Sequence, residues 1–301
     1  MRFLQLSDTH LGVRRFVPGA PAGWSRADDH LAAMRAALDL ALAQGVDLVL
    51  HTGDLFDRSR PPARVIAQAA SLLVETARRV PVVVLAGNHD RRGLRPHLPL
   101  LCPGLHVVDQ GERLVLAGIA LAVVPFLADA QGWAAVARRA VGPGVDLLLC
   151  HQAVDGCQVP GFTFRAGAQR DTLGTAHLPP GAPAILSGHL HPRQALDLGG
   201  VPVLMPGSTE RTSFGEASQP KGCLLGELGV HLRWRFVDLP TRPMVRVDAE
   251  DDLARVGPGA LVRCGVPALD AAVKELGGWL CARPGPLVPA QRTPPQLRLF
   301  G

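Results

Sequence analysis

Residues 3–10 read FLQLSDTH, an apolar, strand-like run that ends directly in the polar side chains of Asp8 and His10. Three further loops repeat this arrangement, because each follows a short run rich in Leu, Val and Ile. They read GDLFD at 53–57, GNHD at 87–90 and GHLH at 188–191. Open α/β sheets build their sites at the carboxyl ends of the strands. The sequence therefore predicts an α/β fold in which the four loops converge.

Two kinds of strand connection are predicted along the chain. Apolar runs at 3–7, 47–52, 80–86, 146–150 and 184–187 indicate strands, and amphipathic stretches at 28–44 and 61–79 indicate helices between the first three. This alternation predicts parallel pairing. Turns near Gly118, at 199–200 and at Gly229 predict hairpins, so the second half is expected to be more antiparallel. Both halves together favour a mixed α/β sandwich of two packed sheets.

Length and composition predict one large domain with a small appendage. The 301 residues are 47% hydrophobic and can bury a sizeable core, which we expect over 1–240. Strand and helix patterns at 244–248, 261–264 and 268–276 predict a small α/β cap over 241–283, and Pro and Gly predict a flexible tail over 284–301. Since no apolar run approaches the roughly 20 residues of a membrane span, we expect a soluble cytoplasmic protein.

Net charge indicates the kind of partner, and cysteine spacing indicates the state of the thiols. The net charge of +5 suits an anionic partner, although the excess of Arg over Lys makes bulk charge weak evidence. The cysteines occur singly, which predicts buried free thiols rather than a zinc knuckle or disulfides. They are Cys102, Cys150, Cys157, Cys223, Cys264 and Cys281.

The polar loops contain side chains suited to divalent cations. Asp8 and His10 alternate along an extended segment, so both can face one ion, and the Asp54 carboxylate can bridge two. Oxygen and imidazole nitrogen without thiolate favour a pair of ions such as Mn²⁺ over a closed zinc site. A single histidine is more often an ordinary core residue than a metal ligand. The prediction of a metal site therefore rests on the whole ordered set of ligands. The seven predicted ligands are Asp8, His10, Asp54, Asn88, His151, His189 and His191.

In this order, the motifs D-x-H, G-D, G-N-H-D, a lone His and G-H-x-H resemble the calcineurin-like metallophosphoesterase superfamily. Residues 6–12, 51–57 and 206–216, with Lys221 and Gly222, are similar to the SbcD-type DNA double-strand-break repair nucleases. The resemblance covers about 1–240. It implies a four-layer αββα sandwich of two mixed sheets and phosphodiester hydrolysis by a two-metal mechanism.

The resemblance also implies a role for each residue of the motifs. One ion would be held by Asp8, His10, Asp54 and His191, and the other by Asp54, Asn88, His151 and His189. The remaining residue, His89, would contact the scissile phosphate or protonate the leaving oxygen, a role that suits an imidazole of near-neutral pKa. Asp90 would orient His89 or cap its loop.

Arginines follow nearly every predicted metal loop and favour DNA as the substrate. A basic rim around a phosphodiesterase site suits a polyanion that is held by its backbone, whereas the alternative is solvated loop charge. A small-molecule or cyclic-nucleotide phosphodiesterase or phosphatase, and an adaptor without catalysis, stay open as other functions. The predicted DNA-binding residues are Arg14, Arg15, Arg58, Arg60, Arg91, Arg92 and Arg193.

Three protein partners are considered. The resemblance implies an SMC-like ATPase, but the stretches 90–151 and after 240 are shorter than in those nucleases, which leaves it open. The helix at 61–79 could form a homodimer or pack on its own sheet. The tail resembles the peptide that binds the bacterial sliding clamp, against the alternatives of packing on its own domain or chance. Its residues are Gln296, Leu297, Leu299 and Phe300.

Overall fold

The computed structural model describes residues 1–14, 17, 20–90, 93–98 and 102–281. These residues divide into two compact units. The first contains 1–14 and 23–242, and the second contains 243–281 together with 17 and 20–22. The predicted tail at 284–301 lies outside the described residues. No described helix is long and apolar enough to cross a membrane.

The first unit is built from short strands and three α-helices. The helices are α1 (Arg26–Ala43), α2 (Ala63–Ala77) and α3 (Ala130–Ala140). The strands are β1 (Arg2–Leu6), β2 (Leu48–His51), β3 (Val82–Leu85), β4 (Leu105–Val108), β5 (Glu112–Leu116), β6 (Ile119–Val124), β7 (Leu147–Cys150), β8 (Gln158–Val159), β9 (Phe162–Thr163), β10 (Ala184–Ser187), β11 (Gln194–Leu198), β12 (Val201–Met205), β13 (Gly222–Leu228) and β14 (Leu232–Asp238). Short 3-10 turns occur at Thr175–His177 and Phe214–Glu216.

Two mixed six-stranded sheets confirm the predicted fold class. Their strand orders are β14-β13-β1-β2-β3-β4 and β11-β12-β10-β7-β6-β5. The parallel pairing predicted for β1, β2 and β3 is confirmed. Hairpins β5–β6, β11–β12 and β13–β14 lie at the predicted turns.

The second half is more antiparallel than the first, as expected, but the centre of the second sheet is parallel. There β6, β7, β10 and β12 pair in parallel, and only the edge strands run antiparallel. The physical reason is burial on both faces: every residue of β6 and β7 is buried, as is usual for parallel strands.

Alternating side chains of the strands build a layered core. Phe3 faces a cluster between the two sheets, whereas Leu4 and Leu6 pack with α1 and α2 on the outer face of the first sheet. On the outer face of the second sheet, α3 buries Trp133 completely. The layers are therefore helices, sheet, sheet and helix, in agreement with the αββα arrangement.

Helix α3 is absent from the sequence-based expectations, although its start has a sequence signal. Asp129 precedes it, and the carboxylate accepts a hydrogen bond of 2.8 Å from the Gly132 N–H. An aspartate at this position is a common helix start. The signal is masked because the apolar runs around the helix indicate hairpins.

The second unit has its own small core. It contains the parallel strands β15 (Met244–Val247), β16 (Leu261–Cys264) and β17 (Trp279–Leu280), the helix α4 (Asp270–Glu275), and 3-10 turns at Glu250–Arg255 and Pro267–Leu269. Val245, Val247, Val262 and Val273 form the centre of its core. Strands β15 and β16 and helix α4 lie where strands and a helix were expected, whereas β17 was not expected.

Candidate metal centre

Five parallel strands place the predicted ligands at one edge of the two sheets. In the first sheet, β1 is followed by Asp8 and His10, β2 by Asp54, and β3 by Asn88. Backbone hydrogen bonds join the first two loops, from Asp8 N–H to the Gly53 carbonyl at 3.0 Å and from His10 N–H to the Asp54 carbonyl at 3.1 Å. Adjacent parallel strands thus bring their loops into register.

The second sheet adds the histidines. His151 follows β7 directly, and His189 and His191 follow β10, the neighbour of β7. A hydrogen bond of 3.2 Å from the His189 N–H to Asp8 Oδ2 links the two sheets' loops. All seven predicted ligands therefore lie in one cluster.

The cluster has two halves that share Asp54. In one half, His10 Nε2 lies 3.1 Å from His191 Nε2 and 3.8 Å from Asp54 Oδ2. The ligand atoms of Asp8, His10 and His191 all lie within 4.8 Å of one another, close enough to hold one ion.

In the other half, Asn88 Oδ1 lies 2.8 Å from His189 Nδ1 and 3.1 Å from His151 Nε2. The His151 Nε2 atom is also 3.4 Å from Asp54 Oδ2. These short distances lie within the two ligand sets that the family resemblance implied, although Asp8, Asp54 and His151 also lie close enough together to hold an ion.

Backbone strain is concentrated in the same loops. Asp8, His10, Asp54 and His189 have φ angles of 50°, 44°, 54° and 86°. Non-glycine residues avoid positive φ, and the cost is accepted mainly at functional sites, where the surrounding structure enforces it. The backbone strain of these loops is therefore explained by the direction in which it points these four side chains.

Glycines before the ligands leave no room for a side chain. A Cβ atom would lie 2.2 Å from His151 Nδ1 at Gly53, 2.2 Å from Asp54 Oδ1 at Gly87 and 2.0 Å from Ser7 Oγ at Gly188. Such distances are well inside van der Waals contact. The glycines of the G-D, G-N-H-D and G-H-x-H motifs are thus explained by the close packing of the ligands.

The chemistry of the cluster fits divalent cations. Asp8 is fully buried, and its Oδ1 atom accepts no hydrogen bond from any residue that the structure describes. A buried carboxylate oxygen without a donor is costly unless a cation neutralises it. Cys150, which precedes His151, keeps its Sγ 3.3 Å from Ser187 Oγ, and burial raises the pKa of its thiol to about 12. The donors of the cluster are oxygen and imidazole nitrogen, which suit divalent cations.

The pKa values of the histidines in the cluster depend on their burial and on the nearby carboxylates of Asp54 and Asp8. Burial lowers the pKa of His189 to about 3 and holds that of His10 well below its ordinary value, so both imidazoles are neutral donors of a lone pair. Burial also disfavours a charged His151, yet Asp54 and Asp8 raise its pKa to about 9. This rise shows that the two carboxylates favour positive charge at the centre, whether it is a proton or a metal ion.

His89 lies beside the predicted ligands, and its ligand atom is within 4.8 Å of those of His10 and Asp54. Its Nδ1 atom donates a hydrogen bond of 2.7 Å to the Asp57 carbonyl, which leaves Nε2 on the side of Asp54, 4.0 Å from Oδ2. The His89 side chain is 20% exposed, close to the 24% of the predicted ligand His191, so solvent reaches both rings.

Asp90 caps the loops and does not contact the His89 ring in the described hydrogen bonds. Its carboxylate accepts from the backbone N–H groups of Gly87, Leu55 and Phe56 at 3.0 to 3.2 Å. Of the two roles left open by the sequence, the structure supports capping.

Further polar residues support the loops without standing out in the sequence. His30 Nδ1 lies 2.9 Å from the Thr9 carbonyl, and His51 Nε2 lies 3.0 Å from Thr9 Oγ1, so both histidines hold the loop of Asp8 and His10. Both are buried, and no motif distinguishes them from ordinary core histidines. Glu216 and Lys221, near His191, belong to the stretch that resembles SbcD-type nucleases, but the motif alone gives them no role.

The predicted DNA-binding arginines differ in their environments. Arg14, Arg58 and Arg60 are exposed, and Arg58 Nη2 lies 3.4 Å from Asp57 Oδ2. Arg193 is half-buried, pairs with Asp238 and lies over the Phe236 ring. Arg15, Arg91 and Arg92 lie outside the described residues, as do the tail residues Gln296, Leu297, Leu299 and Phe300.

Comparison with known proteins identifies the family. Residues 1–193 match the family described as Calcineurin-like phosphoesterase. The chain is 28% identical over 283 residues to the DNA double-strand break repair protein Mre11 of Thermoplasma acidophilum, covering 83% of this chain and 68% of that one. It is 29% identical over 284 residues to Mre11 of Aeropyrum pernix, covering 83% and 63%.

A bacterial relative matches over a similar span. The chain is 29% identical over 300 residues to the SbcD subunit of the nuclease SbcCD of Rhodobacter capsulatus, covering 83% of this chain and 72% of the relative. The chain thus spans about two thirds of the length of these curated relatives. The predicted similarity to SbcD-type nucleases is confirmed. Together with the two mixed sheets, the match over residues 1–193 shows that the chain belongs to the calcineurin-like phosphoesterase family.

Proposed function

We propose that this protein is a Mn²⁺-dependent DNA nuclease of repair or replication that hydrolyses phosphodiester bonds with two metal ions. The observation that carries the proposal is the convergence of seven predicted ligands, all but His191 buried, beside the Nε2 atom of His89. The named activities of the Mre11 and SbcCD relatives support DNA as the substrate.

We expect Asp8, His10, Asp54 and His191 to hold one ion, and Asp54, Asn88, His151 and His189 to hold the other, as the family resemblance implies. The short distances within each set support this assignment. When bound, such a pair of ions neutralises charge on the phosphate and lowers the pKa of the attacking water. The chain itself then supplies no protein nucleophile.

His89 protonates the leaving oxygen in this proposal. The Asp57 carbonyl accepts the Nδ1 proton, so the position of the ring is set and Nε2 faces the substrate. In the neutral ring Nε2 is a hydrogen-bond acceptor, and protonation of Nε2 makes the ring an acid. The Asp57 carbonyl keeps the ring in place in both forms.

DNA is favoured over a small phosphate ester by the exposed arginines beside the metal loops. Arg14, Arg58 and Arg60 carry positive charge on residues that follow ligands in sequence. Basic side chains near a hydrolytic site bind successive phosphates of a polyanion, which a cyclic nucleotide does not offer. We further propose a cytoplasmic location, where an enzyme of this kind would meet chromosomal DNA.

The deciding experiment compares substrates at constant metal concentration. Purified protein with Mn²⁺ is given labelled single-stranded, duplex and hairpin DNA, and in parallel bis-p-nitrophenyl phosphate and cyclic nucleotides. We expect cleavage of DNA that Asp8→Ala abolishes. Intact DNA together with rapid hydrolysis of cyclic nucleotides would instead establish the small-molecule alternative. An adaptor without catalysis predicts no hydrolysis of any substrate.

Partners are proposed separately from the chemistry. Binding of a bacterial sliding clamp by the tail would raise the local concentration of the nuclease on DNA. Deletion of 284–301 is expected to abolish clamp binding and leave hydrolysis of bis-p-nitrophenyl phosphate unchanged. Copurification with an SMC-like ATPase, and sedimentation of the purified chain, test the proposed ATPase partner and homodimer.

A further inference from the structure

Glu216 lies directly behind the predicted ligand His191. The turn Phe214–Glu216 brings its carboxylate to 2.9 Å from His191 Nδ1, and the residue is only 9% exposed. An ionised carboxylate accepts hydrogen bonds and cannot donate them. The proton of the imidazole is therefore on Nδ1, and Nε2 carries the lone pair that points to His10 Nε2, 3.1 Å away.

The Glu216 carboxylate is itself held from several sides. Lys221, whose side chain is 0% exposed, places Nζ 2.7 Å from Oε2. Thr212 donates from its N–H to Oε2 at 3.1 Å and from its hydroxyl to Oε1 at 2.5 Å. These donors, together with the His191 ring, hold the carboxylate in a fixed position.

Lys221 is tied to the metal loop by a second contact. Its Nζ also donates to the His191 carbonyl at 3.2 Å and to Gln219 Oε1 at 3.2 Å. A buried ion pair is tolerated when further hydrogen bonds satisfy both ions, as they do here. The pair therefore locks both the side chain and the backbone of His191.

The other histidines of the centre are supported differently. The Nδ1 atoms of His151 and His89 donate to the backbone carbonyls of Thr52 and Asp57, both at 2.7 Å. These partners are neutral. Of these three Nδ1 atoms, that of His191 is the one that donates to a charged group, which makes the His191 ring a stronger electron donor at Nε2.

We propose that Glu216, held by Lys221, is a positioning residue that fixes the tautomer of His191 and strengthens metal binding by Asp8, His10, Asp54 and His191. The inference rests on the metal centre of the proposed function and not on its DNA substrate. Loss of such a carboxylate partner typically costs about 10- to 100-fold in metal affinity. The other half of the centre has no contact with Glu216 in the described hydrogen bonds.

The experiment measures Mn²⁺ binding rather than cleavage. The full chain is stripped with a chelator and titrated with Mn²⁺ by calorimetry and by electron paramagnetic resonance. Glu216→Gln is expected to weaken one of the two binding steps about 10- to 100-fold and to leave the other unchanged. The matched control is Glu227→Gln, because Glu227 is an exposed glutamate that pairs with Arg233 away from the ligands. Equal weakening of both steps, or of neither, would overturn the proposal.

Two further variants separate positioning from general stability. In a His191→Ala background, Glu216→Gln is expected to cause no additional loss of Mn²⁺ affinity, whereas an additive loss would refute coupling through His191. If Glu216→Gln does not fold, Glu216→Asp retains the charge and withdraws it from the ring. It is expected to weaken the same single step by a smaller factor, and wild-type affinity at both steps would contradict the inference. If the wild-type protein binds two Mn²⁺ ions but cuts no DNA, the proposed nuclease activity is refuted and the inference about Glu216 is not.

Discussion

The predicted ligands and the arginines that follow them in the same loops differ in their exposure to solvent. Asp8, Asp54 and His151 are at most 2% exposed and are enclosed by glycines that admit no Cβ atom. Arg14 and Arg60, a few residues further on, are exposed to solvent. The difference teaches that the proposed chemistry would depend on a few buried positions, whereas the proposed binding of a polyanion would be shared among exposed charges that each contribute little.

The largest effect is expected at the carboxylate shared by both halves of the centre. Asp54→Asn removes the charge that both ions use, so DNA cleavage should fall by more than the roughly 100-fold typical of a supporting residue. Calorimetry should show that both Mn²⁺ binding steps weaken. Asp57→Asn is the control because Asp57 contacts His89 through its backbone carbonyl and not its carboxylate. Cleavage by Asp54→Asn at the wild-type rate would contradict the shared role.

A smaller loss is expected at His89, which acts beside the ions without holding them. His89→Asn should lower kcat by about 10²- to 10⁴-fold, the usual contribution of an acid, while both Mn²⁺ affinities stay near wild type. Single-turnover cleavage and Mn²⁺ titration measure the two effects. The exposed His231 provides the control His231→Asn. A parallel loss of metal affinity would make His89 a ligand instead.

Crowding at a motif glycine tests the rigidity of the buried region. Gly87→Ala would place Cβ 2.2 Å from Asp54 Oδ1, so we expect a loss of about 1–3 kcal/mol in the free energy of unfolding and weakened metal binding. Urea denaturation of the metal-free chain measures the first. Gly229→Ala is the control, because its Cβ would meet nothing within 4 Å. Equal stability of the two variants would show that the loop can yield.

Substitution of the arginines is expected to have weak effects on DNA affinity that depend on the salt concentration. Arg60→Ala should reduce the slope of log affinity against log salt by about 1 while kcat is retained. Arg193→Ala should change this slope less, because its guanidinium already pairs with Asp238. Fluorescence anisotropy with duplex DNA at several salt concentrations measures both. A steeper change for Arg193 would mean that DNA displaces Asp238.

The effect that is smallest at neutral pH is expected from a buried histidine that supports the loops, because it appears only as pH falls. Burial lowers the pKa of His30 to about 3, whereas an unfolded chain titrates near its ordinary value of 6.5. The neutral ring therefore contributes stability that is complete above about pH 6.5 and is lost as pH falls towards 3. Urea midpoints should fall over this range, and less in His30→Gln than in the control His231→Gln. Parallel pH profiles would contradict this.

The sequence motifs were sufficient for the fold class because it depends on local rules, whereas the assignment of the predicted ligands to two ions came from the family resemblance and stays a prediction. Apolar runs ending in polar loops indicated parallel strands, and β10 was predicted with its observed bounds, Ala184–Ser187. The second sheet was harder, since its central parallel strands are brought together by long connections that leave no local signal. Helix α3 was missed for a related reason, because Trp133 packs on a core that forms only after folding.

By itself, the sequence determined that Asp8, Asp54 and Asn88 follow neighbouring strands, because the order of elements and the glycine motifs are local properties of the chain. Only the tertiary structure decided which group stands behind each ligand. Glu216 lies 25 residues from His191 and reaches its ring through contacts between separate segments. Such pairs depend on how distant segments fold against each other, and spacing along the chain does not encode that geometry.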